Sequence, residues 1–307
     1  MDLTLDGFIY IFMASIEPQR MKRLPFLTIL LAAAAASGSC GKAIQEDTPL
    51  PIRIATMMTK VTDYGFETGD KVGIYIANLP GQLKSRGNHA DNICHTLNGA
   101  EWVADKRLFW QDTQTKADFY CYFPYKEIDD ALLPTKVSVL LDQGTEIGYK
   151  ASEFLWGKAE TVSPTEEPVT IRVRHLMSCL QIILKPGAGW SAEDLECAQV
   201  SLCGLMTTGR VNLKSGEIKT FGEPNSILTL KKGGGKFRAL VLPQSVKDAE
   251  LVKIKMGERE YRLKTSIELE SGKMHSCTIT VNRIGEGLTI GVDPWVNDEQ
   301  DYGGSVE

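Results

Sequence analysis

Alternation with period two runs through this chain almost without interruption, and it limits the possible folds more than any other feature. In "KVGIYIAN" (71–78), Val72, Ile74 and Ile76 fall on one side of an extended chain. In "ADFYCYFPY" (117–125), Phe119, Cys121 and Phe123 share a face and Tyr120 and Tyr122 take the other. "EPVTIRVRH" sets Val169, Ile171 and Val173 against Thr170, Arg172 and Arg174, and "HSCTITVNRI" alternates His275, Cys277, Ile279 and Val281. Successive side chains of a strand point to opposite faces, so each pattern is a half-buried strand. In "CLQIILK" the inward set moves to even positions (Leu180, Ile182, Leu184), which predicts a bulge or break between His175 and Cys179. "RVNLKSGEI", "KKGGGKFRALVLP" and "LVKIKMGEREYRLK" each read as a hairpin around a Gly-containing turn. Only "KEIDDALL" (126–133) and "SAEDLECAQ" (191–199) suit short helices. Many short strands with Gly-rich turns predict an all-β chain built as β-sandwiches.

Of the 307 residues, 43% are hydrophobic and 24% charged, which is globular composition and enough for one large or two medium domains. The polar stretch "GKAETVSPTEEP" predicts a boundary between them, giving sandwiches over 52–162 and 163–307. The net charge of −5, without a basic block, argues against nucleic acid as a partner. The seven cysteines form no C-x-x-C and the four histidines have no zinc-site spacing, so neither a metal nor a cofactor is expected.

The start of the chain has a different character. "LPFLTILLAAAAA" (24–36) is an apolar run of 13 residues. A membrane span needs about 20, whereas a signal-peptide core needs fewer. Met21, Lys22 and Arg23 supply a positive n-region, with Met21 as the expected true start, and Ser37, Gly38 and Ser39 supply a small-residue processing site. Residues 1–39 therefore read as a signal peptide and 40–51 as a tether. Cys40 stands directly after the small residues, the layout of a bacterial lipobox, with Ser37 where Leu is usual. There the thiol would carry diacylglycerol, and each buried methylene adds about 0.8 kcal/mol of membrane affinity. The other reading is ordinary signal cleavage beside an incidental cysteine. The remaining cysteines, Cys94, Cys121, Cys179, Cys197, Cys203 and Cys277, allow up to three disulfides, but several sit in apolar runs and most read as buried free thiols.

No catalytic constellation emerges. The carboxylates sit in turn-like contexts, "KGGG" (232–235) lacks the G-K-[ST] ending of a phosphate loop, and G-x-S-x-G does not occur. His175 reads as a hydrogen-bonded structural histidine. His89, Cys94 and His95 offer either a fortuitous metal cluster or part of an exposed loop, and the polar surroundings favour the loop. Trp102, Trp110, Tyr120, Tyr122 and Tyr125 cluster in sequence; they serve either core packing, which the alternation favours, or a glycan-binding platform.

Several landmarks together resemble the fimbrillin family of Bacteroidales surface pilins. They are "IATMMTKVTDYGFETGDKVGIYIAN" with Phe66, Gly69, Asp70, Val72, Gly73, Ile74 and Tyr75, then "RLFWQDTQTKADFYCYFPY", "FLWGKAETV" before "VRHLMSCLQIIL", and "GVDPWVNDEQDYGGSVE". The resemblance implies two transthyretin-like β-sandwiches, export as a lipoprotein to the outer membrane and cell surface, and assembly with other fimbrial subunits by protease-triggered strand exchange. It implies a role in cell adhesion toward a host or bacterial surface receptor, not enzymatic activity. Carried onto this chain, the scissile basic residue is Arg53 or Lys60. The candidate C-terminal strand at the subunit contact is the one holding Leu288, Ile290 and Val292, whose other reading is the last strand of the second sandwich. The short acidic extension past Trp295 suits a tip or accessory position. A non-polymerising glycan-binding lipoprotein is the alternative.

Overall fold

The computed structural model describes residues 49–58 and 65–283. In chain order the first part holds β1 (Ile54–Met58), β2 (Lys71–Asn78), β3 (Ala90–Asn98), β4 (Glu101–Ala104), β5 (Ala117–Phe123), β6 (Thr135–Ser138), α1 (Glu146–Lys150), β7 (Leu155–Val162) and β8 (Val169–His175). The second holds β9 (Ser178–Pro186), α2 (Ala192–Leu195), β10 (Gln199–Asn212), β11 (Glu217–Leu228), β12 (Leu230–Gly233), β13 (Lys236–Val241), β14 (Gln244–Met256), β15 (Arg259–Leu269) and β16 (Met274–Val281). The chain is all-β, as the alternation predicts.

Seven strands make one sheet in the order β1-β8-β7-β5-β2-β3-β4. Its edges, β1 and β4, approach one another, so the sheet curls around its own core. That core is filled by Val72, Ile74, Ile76, Phe119, Cys121, Leu155, Val169, Ile171 and Val173. The opposite face of the same sheet presents Tyr75, Tyr120 and Tyr122 to a second, larger core. That core lies among β11-β10-β14-β15 and β12-β13-β9-β16. β6 pairs with β10, so the first part of the chain also lends a strand to the second group.

The boundary expected at 162/163 falls inside the seven-stranded sheet. β7 and β8 are antiparallel neighbours, and the polar stretch between them is their connecting loop. The chain leaves this sheet at Leu176–Met177, both fully buried, where the inward face shifts from odd to even positions. The phase shift, rather than the polar loop, marks the change of sheet. The Gly-containing hairpins fall at 213–216, 234–235 and 257–258, between the expected strands. α2 matches the short helix expected at 191–199 and is capped at both ends of its first turn by Ser191 and Asp194. "KEIDDALL" is irregular instead, and α1 follows the N-cap Thr145. "HADNICH" is not exposed loop: β3 begins at Ala90, and Cys94 and His95 are buried.

Candidate functional site

The feature most open to a functional role is β1 and the groove that holds it. β1 lies parallel to β8 in the register Ile54↔Val169 to Met58↔Val173. The chain entering it follows the same period-two logic, with Ile52 and Ile54 buried and Pro51 and Arg53 exposed. Burying each isoleucine contributes about 1.5–3 kcal/mol. The floor beneath is Val169, Ile171, Phe119 and Trp110, with Trp110 edge-on to Phe119 at 5.6 Å.

The second wall comes from 108–110. Ile52 N–H donates to the Leu108 carbonyl at 2.9 Å and Trp110 N–H to the Leu50 carbonyl at 2.9 Å, around an antiparallel bridge between Pro51 and Phe109. His89 pins this wall: its Nε2 lies 2.7 Å from the Phe109 carbonyl while Asn78 Nδ2 lies 3.0 Å from its Nδ1. The amide can only donate to Nδ1, so the ring carries its proton on Nε2 and donates to Phe109. The Trp110 indole N–H reaches the Thr165 carbonyl at 3.3 Å and closes the wall onto the β7–β8 loop. The sequence reads His89 as exposed loop and Trp110 as one of an aromatic cluster; their joint role in the 108–110 wall has one sequence signal, the alternation of Leu108 and Trp110.

Arg53 stands at the rim. Its side chain is exposed and its guanidinium donates to the Glu166 carbonyl, while its own carbonyl accepts from Val169 N–H at 2.8 Å. A protease needs the chain extended and unpaired around the cut, so cleavage here requires local opening of β1. Lys60, Cys40, Leu288, Ile290 and Val292 lie outside the described residues. One buried polar atom in the strand, Thr56 Oγ1, has no hydrogen-bond partner. β1 is thus held by the β8 ladder and apolar contact, and its approach at 50–52 by the 108–110 bonds, but the strand is not fully satisfied.

Beyond the end of β1, a cleft opens among Phe66, Asp70, Phe123, Glu153 and Leu155. Behind it, His175 Nδ1 meets Glu153 Oε2 at 2.7 Å, with both side chains nearly buried. Glu153 Oε1 also accepts from Phe154 N–H. This is the hydrogen-bonded structural role expected of His175. The six described cysteines are free thiols: Cys94, Cys121, Cys179 and Cys277 are buried, Cys203 is half-buried and Cys197 is exposed. Burial pushes the Cys277 thiol up to about 11 and raises Cys121 further still. Trp110, Tyr120 and Tyr122 are core residues; Trp102 and Tyr125 are half-buried, and Trp102 packs edge-on against Phe66 at 5.0 Å. These five rings do not form an exposed platform. No helix among the described residues is long and apolar enough to cross a membrane.

The sequence matches the family described as fimbrillin-like over residues 59–295. The chain belongs to the fimbrillin-like family. A Bacteroides uniformis relative named as a candidate fimbrium subunit, Fim1C, is 24% identical over 299 residues, covering 90% of this chain and 96% of its own. The crystal structure of a candidate cell-adhesion protein from Bacteroides ovatus shares the fold at TM-score 0.66 and 17% identity, covering 81% of this chain and 98% of that one. A second candidate cell-adhesion protein, from Bacteroides uniformis, shares it at TM-score 0.63 and 20% identity, covering 78% and 95%. Membership of the fimbrillin-like family makes this a fimbrial or adhesion protein of a cell-surface appendage. Together with the all-β fold, it points to a structural role rather than catalysis.

Proposed function

We propose that this fimbrillin-like chain is a fimbrial subunit, in a tip or accessory position, that is exported as a lipoprotein through Cys40 and assembles by strand exchange in the β1 groove. The observation that carries the reading is the seating of β1. It is a five-residue strand at one edge of its sheet, parallel to β8, over an apolar floor. Removing it would leave the β8 ladder unpaired and Val169, Ile171, Phe119 and Trp110 uncovered. A strand edge over an apolar groove is a template for another extended segment. The incoming strand would recover the backbone hydrogen bonds and the apolar area, at about 25 cal/mol per Å².

In this reading a trypsin-like protease cuts at Lys60, in the link after β1, or at Arg53 within its approach. The cut frees the lipid-anchored segment from the rest. The C-terminal segment with Leu288, Ile290 and Val292 forms the strand at the subunit contact, and an adhesive surface faces a host or bacterial receptor. The N-terminus of protein extracted from the cell surface tests the anchoring and the cut together. A start near Ile54 or Val61 supports processing, whereas a lipidated Cys40 in assembled material counts against it. Polymer ladders grown from the purified, protease-treated chain alone would count against the tip position.

A further inference from the structure

β16, the last of the described strands, is attached to the second core through a parallel ladder, and that attachment has a mechanical consequence. β16 runs parallel to β9 through eight register pairs, from Met274↔Cys179 to Val281↔Pro186. The ladder continues beyond both strand ends. At the start, Gly272 N–H donates to the Met177 carbonyl and Cys179 N–H to the Lys273 carbonyl, both at 2.9 Å. At the finish, Gly187 N–H donates to the Val281 carbonyl at 2.9 Å and Arg283 N–H to the Ala188 carbonyl at 2.8 Å. Three further contacts lock the finish. Asn282 Oδ1 accepts from Ala188 N–H at 2.9 Å, the Arg283 guanidinium lies 5.0 Å from the centre of the Trp190 ring, and Arg259 Nη1 donates to the Arg283 carbonyl at 2.7 Å. Gly187 makes room for this lock, since a Cβ there would stand 2.0 Å from Asn282 Oδ1.

We propose that the β9–β16 ladder is a shear clamp, the element through which the subunit carries tension. The argument is one of topology. β8 passes directly into β9 through Leu176–Met177, so load from the seven-stranded sheet reaches the beginning of β9. The chain leaves β16 at its far end, at Arg283. In a parallel pair those two points lie at opposite ends of the ladder. Pulling them apart slides one strand along the other, and the ladder bonds must give way together. Pulling from the same end would open them one at a time. Inward-facing Cys277, Ile279 and Val281 are buried in the large core, so sliding also drags three apolar side chains through packed surroundings. Resistance of this kind belongs to the unfolding barrier rather than to equilibrium stability.

The clamp matters biologically only if the chain works in a fibre, and to that extent it rests on the fimbrial reading. Its test does not. Single-molecule pulling on the monomer compares two geometries. In the first, the full chain is held by tags at its two ends, which shears the ladder. In the second, one tag is inserted after Gly189, in the loop beside the finish of the ladder, and the other stays at the C-terminus, which unzips it. The expected result is a clearly higher force for release of β16 in shear than in unzipping. Equal forces would overturn the clamp whether or not the protein polymerises. A clamp that holds in a chain that never polymerises would instead remove the fimbrial reading. If the insertion prevents folding, Asn282→Ala in the end-tagged chain decides the matter: release at lower force is expected, and an unchanged force overturns the proposal.

Discussion

Gly157 has no space for a methyl group. A Cβ on it would meet the Arg172 carbonyl oxygen at 2.2 Å and the Val173 Cα at 2.9 Å, where β7 pairs with β8. Both obstacles are backbone, so relief requires the two strands to separate. Gly157→Ala is expected to cost about 1–3 kcal/mol, the range for an overpacked core site, as a lower denaturant midpoint. A wild-type midpoint would mean that β8 is free to move. Two histidines make a second prediction at this scale. Burial lowers His95 and His275 below the ordinary 6.5, and His275 Nε2 also accepts from Glu270 N–H at 3.2 Å, a bond that protonation removes. As pH falls through about 6.5 the unfolded chain takes up these protons while the folded chain resists them. The unfolded state then binds more protons, so stability falls from pH 6.5 downward and is fully kept above it. Denaturant midpoints measured from pH 7.5 to pH 5 should show this slope, and His95→Gln with His275→Gln should flatten it.

At the scale of elements, the alternating runs made most strands legible because the two faces of each meet different surroundings: β8 alternates between core and solvent, whereas β5 alternates between the smaller core and the larger one. The inward sets at 72–76, 119–123, 169–173, 180–184 and 275–281 all face a core. What sequence could not supply was pairing. Nothing near Ile54 indicates that its neighbour is Val169, because a parallel pair needs a long crossover and its register is set by the assembled sheet. The 108–110 wall escaped for the same reason. Cys94 and His95 were misplaced because a polar surrounding hides a strand whose burial comes from its neighbours β2 and β4. The isolated seating of β1 gives the prediction that belongs here. Ile54→Ala removes most of one buried side chain and is expected to weaken β1 docking by about 2–3 kcal/mol. Cleavage at Arg53 by a trypsin-like protease should track the open population and rise on the order of a hundredfold. Quantifying the released N-terminal fragment over time checks it. An unchanged rate would mean that β1 opening does not limit access to Arg53.

Across the whole molecule, the question is whether the two cores act as one body. Beside the β8–β9 passage, the β6–β10 pairing and the shared tyrosine face, a further cross-link is centred on Trp156. Its indole N–H donates to the Leu213 carbonyl at 2.8 Å, the Arg174 guanidinium lies 5.5 Å from its ring centre, and Arg174 Nη2 reaches the Gly216 carbonyl at 3.4 Å. Gly216 has a positive φ of 69°, and a Cβ there would lie 2.4 Å from the Trp156 ring, so the β10–β11 turn is shaped to receive this side chain. Lys214 Nζ adds a contact to Gln82 Oε1 at 2.8 Å. The joint is polar at its rim and aromatic at its centre, and it ties β7 and β8 to the far end of the β10–β11 hairpin. Trp156→Ala leaves the Leu213 carbonyl without its indole donor, removes the ring beside the Arg174 guanidinium and opens a space beside Gly216. A loss of about 2–3 kcal/mol is expected, less than for a fully buried tryptophan. The larger effect should be on cooperativity: one unfolding transition in the parent chain, and two separated ones in the variant as the cores melt independently. Calorimetry of both proteins decides it. A single sharp transition in Trp156→Ala would show that the shared tyrosine face of the seven-stranded sheet couples the cores without the joint.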